Sequence, residues 1–139
     1  MAADGAGTSR GMYSTDTLTG ALATTADTST SVGSVAITQG DLTNANNPNY
    51  AITFVERSLT INKATLTVRA DDASKTYGDS NPSFTSTITG YVNGQNAGTS
   101  GVTGAPSLTT TADTASSVGT YTISADVGTL ASSNYQFTY

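Results

Sequence analysis

The side chains in this sequence best able to do chemistry are oxygen donors. Asp71, Asp72 and Asp79 lie within nine residues of one another, interleaved with Ser74, Ser80 and Asn81 around Gly78. Hard oxygen ligands in a glycine-containing loop are the donor set that Ca²⁺ requires, so these three aspartates are the candidate metal ligands. Their spacing matches neither an EF-hand nor a nonapeptide calcium repeat, and no bidentate Glu accompanies them. A solvated turn explains the same residues more simply. Asp27 and Asp113 recur in the same context, Thr-Thr-Ala-Asp, where a side-chain cap on the following turn accounts for a repeated aspartate without a ligand.

Two other side-chain types invite a functional reading. Lys63 and Lys75 raise the idea of an intramolecular Lys–Asn isopeptide bond, but that reaction needs a carboxylate packed beside both partners, and the only Glu is Glu56. A lysine on the exposed face of a strand is the preferred reading. Among the seven tyrosines, Tyr50, Tyr121, Tyr135 and Tyr139 fall at alternating, core-type strand positions, and Tyr77 belongs to a turn. Tyr13 and Tyr91 remain as the candidate ligand-binding residues, since exposed tyrosine beside Asn and Asp can stack on sugars and hydrogen-bond to them. Thr-x-Thr alternation, as at Thr65 and Thr67, reads as the solvent face of a strand, where branching at Cβ favours extended backbone.

Composition narrows the chemistry further. The 139 residues contain no Cys and no His, which excludes disulfides, thiolate nucleophiles, imidazole bases and the common zinc sites. Hydrolysis would have to rest on Asp pairs or Glu56, so no enzyme and no cofactor are expected. A net charge of −5 opposes nucleic-acid binding, which needs a basic face. The sequence has no run of about 18 apolar residues that would span a membrane, and Met1 to Gly11 lacks the apolar stretch of a signal peptide. An excised piece of a longer protein is expected. The 28 Thr and 17 Ser amount to nearly a third of the chain, and with so few charged residues they point to strands and turns rather than to disorder.

The elements that must position these residues come in copies. Thr24 to Thr38 (TTADTSTSVGSVAIT) aligns without a gap on Thr110 to Ser124 (TTADTASSVGTYTIS) at an offset of 86, with nine of fifteen positions identical. Asn49 to Phe54 aligns on Asn134 to Tyr139 at an offset of 85. The chain therefore holds one full repeat and the later half of another, with residues 1–64 as a partial first repeat and 65–139 as a second repeat lacking its final strand. Apolar residues alternate with polar ones in each copy: Tyr50, Ile52 and Phe54 match Tyr135, Phe137 and Tyr139, while Val35 and Ile37 match Tyr121 and Ile123. Leu59 with Ile61, and Leu66 with Val68, give two more short faces. A period of two marks strands with one face toward a core. The expected fold is mainly β, in small elongated tandem modules with thin cores. Asp41 to Pro48 reads as a surface loop carrying an insertion absent from the second copy.

Four blocks taken together resemble a known repeat family: KTYGDSNPSFTSTITGYVNG (Lys75 to Gly94), TADTASSVGTYTIS (Thr111 to Ser124), the Asn-Tyr followed by alternating aromatics, and LTINKATLTV (Leu59 to Val68). They are similar to the MBG-type and YDG-type repeats of large bacterial surface adhesins of the filamentous-haemagglutinin-like kind, from about Gly20 to Tyr139. The resemblance implies an extracellular, cell-surface or secreted protein. For some relatives it also implies an alternative fold, β-grasp-like α+β, with one short helix near residues 92–98. The function expected is a structural and interaction repeat in an adhesin stalk, supporting adhesion or self-association. The alternative is a glycan- or mucin-binding domain acting through the loops at Asp41 to Pro48 and Asp71 to Pro82. Expected partners are neighbouring repeats, a host glycan, or another chain paired at an open strand edge, with no nucleic acid and no membrane insertion.

Overall fold

The computed structural model describes residues 15–139, and among them the chain is all β, with no helix. Two compact units are divided between Ile61 and Asn62. The first unit carries an antiparallel sheet in the order β1–β2–β3, with β1 at Ala23–Thr24, β2 at Gly33–Thr38 and β3 at Arg57–Ile61. In the second unit, β4 (Ala64–Ala70) is the centre of a mixed sheet. It pairs antiparallel with β5 (Ser86–Thr89) on one side and parallel with β8 (Tyr135–Thr138) on the other. Between β5 and β8 in sequence, β6 (Ser107–Thr110) and β7 (Ile123–Asp126) form an antiparallel pair.

The core of the second unit follows from the alternation in β4. Ala64, Leu66, Val68 and Ala70 share one face; Leu66 and Val68 are buried, whereas Thr65, Thr67 and Arg69 are exposed on the other. Leu130 and Tyr135 complete the set of buried apolar residues among those described. Tyr135 brings a polar atom into this core, and its hydroxyl is satisfied: it donates to Gln95 Oε1 at 2.6 Å and accepts from the Val92 amide at 3.2 Å. The Tyr91 ring meets the Tyr135 ring edge-on, with centroids 6.0 Å apart and planes at 75°. Aromatic pairs prefer this geometry because the positive ring edge faces the negative ring face.

The repeat extends to hydrogen-bond register. In the first unit Ala23 faces Thr38 and Thr24 faces Ile37; in the second Thr109 faces Ser124 and Thr110 faces Ile123, each pair displaced by the same 86 residues. The second hairpin continues for two further pairs, to Ser107 opposite Asp126. Each hairpin then closes on two glycines in the left-handed region, Gly20 and Gly40 in the first, Gly104 and Gly128 in the second. A Cβ on Gly40 or Gly128 would strike the carbonyl oxygen of Ala21 or Ala105 respectively, so both conformation and close approach require glycine.

Two expectations are corrected. Residues 92–98 form no helix: Asn93 (φ 54°) and Gly94 (φ 68°) are consecutive left-handed residues, which turn the chain instead of continuing a right-handed helix. The Asn96 side chain then closes a separate turn by accepting from the Gly98 amide at 2.9 Å. The alternative β-grasp-like reading with a helix there is thereby excluded. Tyr50, Ile52 and Phe54 are half-buried in alternation as expected, yet they form no strand. Their counterpart β8 is held by parallel pairing to β4. The Ile52 amide is satisfied by Asn44 Oδ1 at 2.7 Å instead.

Leu66 is fully buried on the central strand, whereas Leu22 is half exposed. Leu66→Ala is expected to lower the unfolding free energy by about 2–5 kcal/mol, and Leu22→Ala by less than about 0.5 kcal/mol. Urea titration followed by circular dichroism measures both.

Candidate functional site

After β4 ends at Ala70 the chain enters the loop that carries the candidate aspartates. The Asp71 amide donates to the Thr85 carbonyl at 2.9 Å. Its carboxylate accepts the hydroxyls of Thr85 and Thr87, each at 2.7 Å. The Thr85 hydroxyl, then the Thr87 hydroxyl, and more weakly the Arg69 charge, hold the Asp71 carboxyl below its ordinary 3.8 against a small opposing effect of burial. Both carboxylate oxygens are thus engaged by β5 and the residue before it. Asp72 and Asp79 are exposed, and among the described residues no three His, Cys, Asp or Glu side chains gather as a metal site would require. The structure does not bring Asp71, Asp72 and Asp79 together as ligands.

The rest of the loop is stapled to the second copy's Thr-Thr-Ala-Asp segment. Lys75 Nζ donates to the backbone carbonyl of Asp79 at 3.0 Å and to that of Asp113. Asn81 Nδ2 donates to the Ala112 carbonyl at 2.7 Å. Lys63 reaches the Ser132 carbonyl at 2.8 Å. Both lysines therefore act as donors to backbone. Asp113 Oδ1 accepts from the Ala115 amide at 2.9 Å and the Ser116 hydroxyl at 3.0 Å, and Asp27 Oδ1 does the same with the Ser29 amide at 2.8 Å and the Thr30 hydroxyl at 3.0 Å. The repeated aspartate is a repeated turn cap. At Asp27 the Ser29 hydroxyl and amide, and at Asp113 the Ser116 hydroxyl and the Ala115 amide, are the largest causes that lower each carboxyl below 3.8.

The second unit has a groove of about 990 Å³. One wall is β4 and the loop after it, the other the stretch from Ser116 to Ala125, and Tyr139 also lines it. Its apolar contributors include Val68, Tyr77, Phe84, Val118, Tyr121 and Tyr139. Core positions had been expected for Tyr121 and Tyr139, but they are 39% and 50% exposed, and Tyr77 is 66% exposed. Partial burial, then the Asp126 carboxylate, pushes the Tyr139 hydroxyl above its ordinary 10.0. The alternation that marked these tyrosines reports which face they occupy and not whether anything covers it. Of the two ligand candidates, Tyr91 packs edge-on against Tyr135 and is half-buried, while Tyr13 lies outside the described residues.

The asparagines of the loop at Asp41 to Pro48 bond to backbone, both within the loop and at Thr19 and Ile52. Asn47 is buried, with Oδ1 accepting from the Thr19 amide at 2.7 Å and Nδ2 donating to the carbonyls of Thr19 at 2.8 Å and Thr43 at 2.9 Å. Asn46 Nδ2 donates to the Asp41 carbonyl at 2.7 Å. The Tyr50 hydroxyl donates to Asp16 Oδ2. Asn46 thus holds the loop's own backbone, and Asn47 ties the loop to Thr19.

The sequence profile of the family described as MBG domain (YGX type) matches residues 3–60 and again residues 66–139. No curated protein and no solved structure matches the chain.

The lowered carboxyls set a pH dependence. Asp27, Asp71 and Asp113 have folded pKa values below the 3.8 of the unfolded chain, so their stabilising effect is complete above 3.8 and is lost as pH falls through the folded values. The urea midpoint is expected to drop as pH goes below 3.8, and Thr85→Val with Thr87→Val should move the Asp71 titration, followed by carboxyl NMR, up toward 3.8.

Proposed function

The chain belongs to the MBG domain (YGX type) family, and from that membership we propose that it is a structural repeat from the extracellular part of a bacterial surface adhesin. In this reading the module has no catalytic turnover. It spaces other parts of the parent protein away from the cell and contacts neighbouring repeats. The observation that carries the reading is the second copy of one hairpin, with the same register, the same capped aspartate turn and the same closing glycines. Keeping the ladder pairs and the turn cap while exchanging Ala23 for Thr109 and Ser29 for Ala115 is what a spacer demands, because its task depends on the shape of each unit and not on a particular reactive group. Thin strands faced with Ser and Thr suit such a unit: hydroxyl faces remain solvated with little net charge, and each short strand needs only two or three apolar positions.

The glycan- or mucin-binding alternative has less support, because the asparagines of the Asp41 to Pro48 loop are committed to backbone. Antibodies raised against the folded chain are expected to label intact bacteria that carry the parent protein. Labelling that appears only after lysis would refute the surface assignment. On a glycan array the folded chain should show no saturable binding, and a saturable glycan would replace the spacer reading with the adhesive one.

A further inference from the structure

In the mixed sheet of the second unit, β4 and β8 are neighbours that run in the same sense. Their register pairs Ala64 with Tyr135, Thr65 with Gln136, Leu66 with Phe137 and Thr67 with Thr138. The start of β4 and the end of β8 therefore lie at opposite ends of the paired segment. Further bonds brace the same seam. The Ala64 amide donates to the Asn134 carbonyl at 3.0 Å, Lys63 Nζ to the Ser132 carbonyl at 2.8 Å, and Gln136 Nε2 to Thr65 Oγ1 at 3.0 Å. Tyr135, the first residue of β8, is fixed in turn by Gln95, Val92 and Tyr91. On the other side of β4, β5 pairs with Thr67 to Ala70.

We propose that the β4–β8 seam is a mechanical clamp, which bears in shear any tension applied between the residue before β4 and the residue after β8. Pulling Lys63 one way and Tyr139 the other draws two parallel strands past each other along their length. The interstrand hydrogen bonds lie across that direction, so all four register pairs are loaded together and none can open first. The core opposes sliding as well. A slip of one residue exchanges the two faces of a strand, which would take Leu66 and Val68 out of their buried positions. Tension also bypasses residues 71–134, because it passes directly from β4 to β8, and the crossover keeps its shape until the seam fails. The β6–β7 hairpin is built the other way: Ser107 faces Asp126, so tension across those two residues would peel it pair by pair. As a role in the parent protein the clamp rests on the spacer reading. As a property of this chain it does not, and a seam that yields early would leave surface labelling and glycan binding untouched.

The 139-residue chain contains no cysteine, so introduced cysteines fix where force is applied. One version of the full chain carries Asn62→Cys and a cysteine added after Tyr139, which loads the seam in shear. The other carries Asn62→Cys and Ser133→Cys, which pulls the strands apart from the end where Ala64 faces Tyr135. Asn62 and Ser133 are exposed, and equal urea midpoints verify that both versions hold the same fold. Under one constant force in optical tweezers, the shear version is expected to stay folded at least about tenfold longer, since forced unfolding is governed by the unfolding rate. It should then lengthen in a single step of roughly 250 Å, the extended reach of residues 62–139 less the folded span. Gln136→Ala, which removes the bond to Thr65, should shorten the shear lifetime about threefold. These last two readouts need only the shear version. Equal lifetimes in the two versions overturn the proposal, as does a longer one in the peeling version. A much shorter first step in shear also overturns it, because β4 would then be peeling away alone. An unchanged lifetime in Gln136→Ala overturns the assignment of the load to this seam.

Discussion

The second unit depends on the position of β4 between two strands of opposite sense. Burying Leu66 and Val68 on one face is worth on the order of 1.5–3 kcal/mol for each side chain, but that gain requires the strand's backbone to be satisfied on both edges. β5 supplies one edge through a local, antiparallel pairing, while β8 supplies the other through a parallel pairing whose partners are more than sixty residues apart. Parallel neighbours cannot be joined by a tight turn, so the intervening β5, the turns near residues 92–99 and the β6–β7 hairpin constitute the crossover. Tyr135 then serves twice: its backbone opens the β8 ladder, and its ring and hydroxyl tie that strand to Tyr91, Val92 and Gln95.

The repeat is expressed more faithfully in backbone than in side chains. Ladder partners of the two hairpins coincide at the 86-residue offset even where Ala23 becomes Thr109 and Thr38 becomes Ser124. The constraint lies in groups that side-chain exchange leaves intact: aspartate oxygens that cap the turn at Asp27 and Asp113, and left-handed glycines packed against carbonyls at the hairpin's other end. The cap at residue 115 uses the alanine amide alone, whereas at residue 29 the serine gives both its amide and its hydroxyl. The hydroxyl one residue later, Thr30 or Ser116, is kept in both copies.

Legibility in the sequence followed the range of the interaction. The capped turns and the alternating faces that carry Leu66, Val68 and Tyr135 depend on residues within one strand or one turn, and they are readable from type and spacing. The helix considered for residues 92–98 gave way to a turn at Asn93 and Gly94 because both residues adopt positive φ, a choice available to that pair but not announced by hydrophobic period. The aspartates that looked like ligands were equally ambiguous. The carboxylate of Asp71 takes the hydroxyls of Thr85 and Thr87, contacts that residue type and spacing do not reveal.

The sequence by itself determined that this is a tandem β protein with polar strand faces and repeated aspartate caps, and that it lacks imidazole and thiol chemistry, since those properties follow from residue type, alternation and self-similarity. Tertiary structure alone decided which apolar faces are covered. Tyr50 to Phe54 and Tyr135 to Tyr139 are equivalent in the repeat, yet of the two only the latter contains a strand, which pairs with β4. Val35 and Tyr121 occupy equivalent positions, yet one lies opposite Leu59 and the other borders an open groove. The physical reason is the same in both cases. A strand is completed by backbone groups distant in the chain, so equivalent positions of the repeat can be closed in one copy and open in the other.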